Sequence, residues 1–472
     1  MSGVAWSFTE KFLTMLVQMV VSIVVARRLA PDDFGVMAIL TFFTSVALTI
    51  VDSGFSQTLI RKTQPTDEEY ISVLGFNITT SVVLYFVLWA LAAPLARFYD
   101  HPAIADVAPI LFLVLPINAL CVVQTVMYTR EFRFKLISNI VFAASIISGI
   151  VAVAMAVVGC GIWALVAQRL LQMGIKALLF WVIRRWRSSA RFSFAALVAM
   201  APFSLRLLAT DLIASVYNNV AQLFIGKTST TALGYYSQAQ KLKDLPVIST
   251  VQSVQGVTYP ALSQLKDDSE KFSDGYERIV RLLSFVLFPV MLGLVAIASD
   301  MFELLLGEKW MPTVPFFRIL ALSGLCYPLA VVSYNVPKVK SDGRVVVRLE
   351  VVKRVVQTII LAVTIPWSIT AVAWGMTAMA LVEFALNSAV ALRLARMSVA
   401  RLAKAILPSL VLSLAMFVLV EGINPYLENL GVALRLTADI FLAAAFYLAL
   451  AYVFGFSALR EGLSLLKGIL QK

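Results

Sequence analysis

An all-α polytopic membrane protein is the fold class this sequence predicts. Three observations carry that prediction. First, 60% of the 472 residues are hydrophobic and only 14% are charged, with a mean hydropathy of +0.88. Soluble domains run near half apolar and about a quarter charged. Second, apolar runs near the ~20 residues a helix needs to cross a bilayer recur along the whole chain. Third, no stretch of alternating polarity is long enough for a membrane barrel. Backbone groups in lipid must be paired internally, so helices are the remaining solution.

About fourteen spans follow from apolar runs between charged or Pro/Gly breaks: 5–26, 35–59, 71–93, 104–127, 137–158, 161–183, 201–225, 234–262, 280–305, 314–336, 347–366, 370–392, 402–421 and 435–456. The eighth and eleventh carry charges that hydropathy alone would penalise. The N-terminus enters its first apolar helix without the basic start and cleavage site of a signal peptide.

The net charge of +12 sits mostly in short loops between helices, which is a topology signal and excludes nucleic-acid binding as its explanation. One set of alternate loops carries Arg61/Lys62, Arg130/Arg133/Lys135, Arg184/Arg185/Arg187/Arg191, Lys266/Lys271/Arg278, Lys338/Lys340/Arg344 and Arg393/Arg396/Arg401/Lys404. The other set has little beyond Arg27/Arg28, Arg97, Lys227, Lys309 and Arg435. The basic side is expected to be cytoplasmic, with both termini inside. No loop is long enough for a folded domain, so function must reside among the helices.

Catalytic and metal chemistry find little material. His101 is the single histidine, in a loop, and Cys121, Cys160 and Cys326 lie apart in apolar surroundings. No cofactor, metal or catalytic residue is expected. The adjacent aspartates of Lys266-Asp267-Asp268 have no nucleotide-binding context around them.

An internal repeat is visible in polar spacing. Ser7, Lys11, Thr14, Gln18 and Ser22 share one face of the first helix, and Asp211, Ser215, Asn218, Gln222 and Gly226 repeat the same intervals in the seventh. Each stripe precedes a helix that begins near Gly35 or Gly234, and GIWAL (161–165) resembles AVAWG (371–375). The expected organisation is two six-helix lobes in parallel repeat, 1–190 and 191–397, followed by two added helices in 398–472. The second helix adds Thr41, Ser45, Thr49, Asp52 and Ser56, and the eighth adds Gln238, Lys241, Ser249, Gln252, Gln255 and Tyr259.

Such stripes either glue helices together or line a hydrated cavity. Their recurrence at matching repeat positions favours the cavity. Its candidate residues are Lys11, Gln18, Asp52, Arg206, Asp211, Asn218, Lys241, Gln252 and Gln255. Lysines there would suit a phosphate or carboxylate. Lys241 has a competing role as an ion-pair partner of Asp52 or Asp211, and Lys243 is a candidate partner of Asp244. Arg61, Lys62, Arg130, Arg133 and Arg344 are placed at the cytoplasmic mouth, where lipid anchoring is the competing role. Arg169, Lys176 and Glu383 are expected in helix pairing or at interfaces.

The segments VARRLAPDDFGVMAI (25–39), DSGFSQTLIRK (52–62), GYYSQAQKLKDLP (234–246), YPALSQLKDD (259–268) and GEKW (307–310) resemble those of bacterial polysaccharide exporters. These are the Wzx-type flippases of lipid-linked oligosaccharides, in the multidrug/oligosaccharidyl-lipid/polysaccharide superfamily, and the subgroup resembled includes the colanic acid flippase. The resemblance covers essentially the whole chain. It implies a six-plus-six bundle with two added helices, alternating access, and an undecaprenyl-diphosphate-linked oligosaccharide as substrate, for O-antigen, capsule or exopolysaccharide synthesis. It further implies a bacterial inner-membrane location among membrane lipids, with a polysaccharide polymerase and a chain-length regulator as partners. By position it assigns substrate contacts to Lys11, Lys241 and Arg206, while Asp52 departs from the basic pattern. A cation-coupled multidrug exporter of the same fold is the alternative, for which Asp52 and Asp211 would serve. A membrane polymerase or ligase would need a large external loop, which the sequence does not offer.

Overall fold

The computed structural model describes residues 2–184, 186, 188–341, 343–427 and 429–461, without the side chains of 2–12, 252, 253, 256 and 257. Among the described residues there are seventeen α-helices and no strand. In chain order they are α1 (Ser2–Arg28), α2 (Pro31–Asp52), α3 (Phe55–Arg61), α4 (Asp67–Phe98), α5 (Ala103–Leu111), α6 (Val114–Arg130), α7 (Phe134–Val158), α8 (Trp163–Ile183) and α9 (Phe194–Thr228). Then come α10 (Thr230–Gln264), α11 (Ser269–Ala296), α12 (Ala298–Leu306), α13 (Thr313–Lys340), α14 (Arg344–Thr364), α15 (Ile369–Ala395), α16 (Val399–Ile423) and α17 (Val432–Val453). Eleven helical segments among the described residues are long and apolar enough to cross a membrane. The chain is a multi-pass membrane protein. α10 and α14 fall outside that set because α10 carries glutamines with Lys241, Lys243 and Asp244, and α14 carries Arg344, Arg348, Glu350, Lys353 and Arg354.

Three of the expected spans are broken in the structure. The span 35–59 divides at Ser53 and Gly54, both left-handed (φ 49° and 71°), so α3 leaves α2 at an angle. The span 104–127 divides between Leu111 and Val114, and 280–305 divides at Ile297. Hydropathy does not register such breaks, because the apolar character continues through them. The reverse holds for α10, which continues through Pro246 and Pro260. Helix starts have local chemical causes. Thr66 and Glu69 form a capping box on α4, and Ser193, Asp268, Ser368 and Ser398 cap α9, α11, α15 and α16.

Packing divides the chain into two compact units, Met1–Ser237 and Gln238–Lys472, with the boundary inside α10. In the first unit α7 packs on α1 and α8, and α9 packs on α2, α3 and α4. One core collects Phe55, Leu59, Tyr70, Val73, Val123, Met127, Leu197 and Met200, while Cys121 lies with Tyr128, Ile140 and Phe180 in another. Cys121 is therefore a packing residue.

The second unit is built on α13, which packs against α15 and α11. Polar contacts cross this interface: Tyr276 Oη to Ser333 Oγ at 2.7 Å, Ser333 to Ser388 at 3.1 Å, and Asn387 Nδ2 donating to the Ala330 carbonyl at 3.0 Å. In a membrane such bonds hold helices where apolar contact alone gives little preference over lipid. α16 lies along α11, and α17 contacts α16 and α12, around a core of Phe285, Leu292, Leu412, Met416, Val420 and Tyr447.

Candidate functional site

In the first unit the polar groups concentrate around the α2–α3 break. Left-handed Ser53 and Gly54 turn the chain, and the Ser56 hydroxyl then reaches back to donate to Asp52. Gly54 is required twice over. Its φ is positive, and a Cβ there would lie 2.5 Å from the Ser204 carbonyl oxygen on α9. The close approach also brings Thr58 Oγ1 and Ser204 Oγ to 2.7 Å. Half-buried Asp52 feels the charge of Asp211, one and a half turns beyond Arg206 on α9. Arg206, Asp211 and Asn218 are all left uncovered by protein. Gln18 is exposed as well, and its Nε2 donates to Ser145 Oγ on α7 at 3.3 Å. That bond is helix-to-helix glue within the α1–α7 pair.

A different polar group ties α2 to the start of α10. Asp32 accepts hydrogen bonds from Thr230 and, at 3.2 Å, from Thr231, and His101 Nε2 meets the same carboxylate. Below it the backbones touch. A Cβ on Gly35 would sit 1.9 Å from the Thr230 carbonyl oxygen, and one on Gly234 would sit 1.9 Å from that of Pro31. Gly35 and Gly234 thus let the starts of α2 and α10 pack backbone to backbone.

The cations expected at a cytoplasmic mouth have specific local work. Arg130 donates to the carbonyls of Leu59 (2.8 Å), Ile60 (3.1 Å) and Thr63 (2.8 Å), and to that of Lys62. It clasps the end of α3 and the loop after it. Lys62 pairs with Glu69, Arg133 with Glu131 at 3.2 Å, and Arg61 lies over the Phe203 ring at 4.6 Å. Arg344 opens α14 and is exposed.

In the second unit Lys241 is exposed on α10, while Lys243 pairs with its neighbour Asp244 at 2.6 Å. Gln238, on the adjoining turn, is 1% exposed with an unpartnered Nε2. Gln255 lines a cavity of about 540 Å³ with Tyr259, Asn335, Lys338, Gly343 and Val346. The side chains of Lys11 and Gln252 lie outside the described residues. Asp268, at the loop before α11, accepts from the Lys271 backbone N–H at 3.0 Å, and its bond to Lys271 holds the carboxyl below the usual range. It is a helix cap.

Periodicity missed one charged group. On α14, Glu350 pairs with Lys353 at 2.5 Å and with Arg354 at 3.7 Å, Arg354 Nη1 donates to Gln357 at 2.9 Å, and Glu383 on α15 feels both cations. Lys353 is only 6% exposed, and its ammonium lies 4.2 Å from the Tyr334 ring centre. Positions 350, 353, 354 and 357 share one helical face, and that spacing was the available signal. Among the described residues, no group of three or more His, Cys, Asp or Glu side chains is arranged to hold a metal ion.

Comparison with known proteins agrees with this architecture. Among solved structures, the fold is similar to the lipid II flippase MurJ in its inward closed conformation (TM-score 0.75, 12% identity), over 96% of this chain and 98% of that one. It is also similar to an inward-facing multidrug resistance MATE family transporter of the MOP superfamily (TM-score 0.61, 14% identity), over 82% and 96%. In sequence, the chain is 24% identical to the teichuronic acid biosynthesis protein TuaB of Bacillus subtilis, over 69% of this chain and 68% of that one. It is 24% identical to the succinoglycan biosynthesis transport protein ExoT of Rhizobium meliloti (72% and 69%), and 23% identical to the lipopolysaccharide biosynthesis protein WzxC of Escherichia coli (69% and 66%). Residues 24–315, well over half of the chain, match the family described as polysaccharide biosynthesis protein, and the chain belongs to that family.

Proposed function

We propose that this protein is a flippase that carries an undecaprenyl-diphosphate-linked oligosaccharide across the bacterial inner membrane by alternating access, for surface polysaccharide synthesis. The observation that carries the reading is the family match over residues 24–315, joined by relatives named for three different polysaccharides. A common step for chemically different polymers is one that handles a shared lipid carrier. The multidrug-exporter alternative shares the fold but lacks that family match. A polymerase or ligase lacks support from the transporter folds this chain resembles.

The same proposal takes 1–190 and 191–397 as repeated lobes and 398–472 as an addition. It assigns substrate contact to Lys11, Gln18, Asp52, Arg206, Asp211 and Asn218 from the first unit, and to Lys241, Gln252 and Gln255 from the second. Arg61, Lys62, Arg130, Arg133 and Arg344 belong to the cytoplasmic mouth in this reading, with both termini inside. A polysaccharide polymerase and a chain-length regulator are its partners.

Lys241 tests the reading. A lysine ammonium facing a phosphate or an acidic sugar contributes about 1.5–3 kcal/mol, so Lys241→Ala should lower export about tenfold or more at unchanged abundance. Lys241→Arg should keep part of it. Export of lipid-linked sugar to the outer leaflet and protein abundance are measured together. Normal export at normal abundance in Lys241→Ala would remove Lys241 from the path, and lost abundance restored by Asp52→Asn or Asp211→Asn would make it structural.

The orientation has its own test. In a variant freed of Cys121, Cys160 and Cys326, a cysteine at Lys309 should react with an impermeant thiol reagent added to spheroplasts, and one at Arg344 should not. Labelling at 344 alone would invert the topology.

A further inference from the structure

We infer that the cavity between the C-terminal part of α10, the end of α13 and the start of α14 is a binding site for a phosphoryl or diphosphate group. Its lining is Gln255, Tyr259, Asn335, Lys338, Gly343 and Val346, all in the second unit. The inference deepens the flippase reading by giving the carrier lipid's diphosphate a place to bind, and for that source of the anion it rests on it.

Three independent features point to an anion. The first is Asn335, which is 2% exposed and yet has no hydrogen-bond partner for its Nδ2. A buried amide donor without an acceptor costs about 1–3 kcal/mol, so a ligand that brings an acceptor removes that penalty. The second is Lys338, whose ammonium lies 4.4 Å from the centre of the Tyr334 ring. The ring face steadies the cation without neutralising it. Glu350, the carboxylate whose charge reaches Lys338, is itself paired with Lys353 at 2.5 Å. The third is the N-terminus of the 21-residue α14. Its N-cap is Gly343, with a φ of +85°, no side-chain cap and no acidic residue in the first turn. The positive end of the α14 dipole therefore meets the cavity at Gly343.

A neutral donor, an ammonium and a helix N-terminus around one cavity favour a multiply charged oxyanion, and among the described residues none of those lining it is a carboxylate. The volume of about 540 Å³ lies within the range of small-ligand clefts, about 300–1,000 Å³, which leaves room for a sugar beside the phosphates. Gln255 and Tyr259 offer hydroxyl-matching groups on the α10 side. The α13–α14 connection, flanked by Lys338, Lys340 and Arg344, is expected on the cytoplasmic side by charge, where a substrate made in the cytoplasm would first be met.

The test is direct binding to the full chain in detergent, by calorimetry. Farnesyl diphosphate is the lipid probe, inorganic pyrophosphate the free anion, and farnesol the uncharged control. Farnesyl diphosphate should bind at least tenfold more tightly than farnesol. Lys338→Gln and Asn335→Leu should each weaken it about tenfold, while Lys338→Arg keeps most of the affinity. Displacement by pyrophosphate supports the phosphoryl chemistry, and tighter binding of farnesyl diphosphate than of pyrophosphate identifies the lipid as the source. Unchanged affinity in Lys338→Gln, or equal binding of farnesol, overturns the site. Lys338 is exposed, so this variant decides the matter even where Asn335→Leu fails to fold. Unimpaired export by a variant that has lost binding would overturn the link to translocation and leave the site standing.

Discussion

Gly35→Val is expected to remove most of the folded protein from the membrane, and Gly234→Val to do the same. Both glycines sit where the start of α2 meets the start of α10 without side chains between them. The Cβ of any other residue at 35 would lie 1.9 Å from the Thr230 carbonyl oxygen, and at 234 equally close to that of Pro31. An overlap with the far end of a flexible side chain can relax by rotation. Here the obstructing atoms are backbone in helices, so the helices themselves must separate. Separation would also draw Thr230 and Thr231 away from Asp32, leaving a carboxylate at the helix start with fewer donors. Overpacking usually costs about 1–3 kcal/mol, and a backbone obstruction belongs at or above the top of that range. Gly174→Ala is the control. No atom lies within 4 Å of the Cβ it would add to α8, so it should be neutral or stabilising by up to ~1 kcal/mol through helix propensity. Thermal unfolding in detergent and abundance in membranes compare the three. A Gly35→Val protein as stable as the parent would mean that α2 and α10 do not meet as described.

The all-α membrane class was legible because apolar run length is set by bilayer thickness and needs no tertiary information. Breaks within those runs were not legible. At Ser53-Gly54 the chain turns through two left-handed residues while its flanks stay apolar, so hydropathy reads one helix where there are two. The Asp-Ser-Gly sequence was the local hint. The polar stripes were legible as faces, since a face is a property of one helix. Their partners were not: Gln18 finds Ser145 on α7, a contact across more than a hundred residues that no periodicity encodes. Lys243 and Asp244 were readable as a pair because they are neighbours in sequence, and they meet at 2.6 Å. The cavity at Asn335 and Lys338 is the opposite case. It joins three helices, and loop charge alone assigned Lys338 to topology.

Asp300→Asn should destabilise the second unit by about 3–5 kcal/mol, the usual cost of removing one member of a buried ion pair. Asp300 on α12 is 5% exposed at its side chain and receives Nε and Nη2 of Arg435, which is 17% exposed, in a two-point bond that ties α17 to α12. Asp439, one turn further along α17, is fully buried with both carboxyl oxygens unpartnered and feels both charged groups. Losing the Asp300 charge leaves a guanidinium with weakened bonds in a low-dielectric setting. Losing Arg435 instead, by Arg435→Met, leaves two carboxyl groups facing one another without a cation. Each single change therefore costs the desolvation of what remains, in addition to the lost attraction. The double variant Asp300→Leu with Arg435→Met removes both charges together, and an apolar pair of similar volume is often neutral in such a place. It should recover at least about 2 kcal/mol relative to either single variant. Thermal unfolding of the four proteins in one detergent reads the coupling. Additive effects would show that the pair is solvated and that α17 is held to α12 by apolar packing alone.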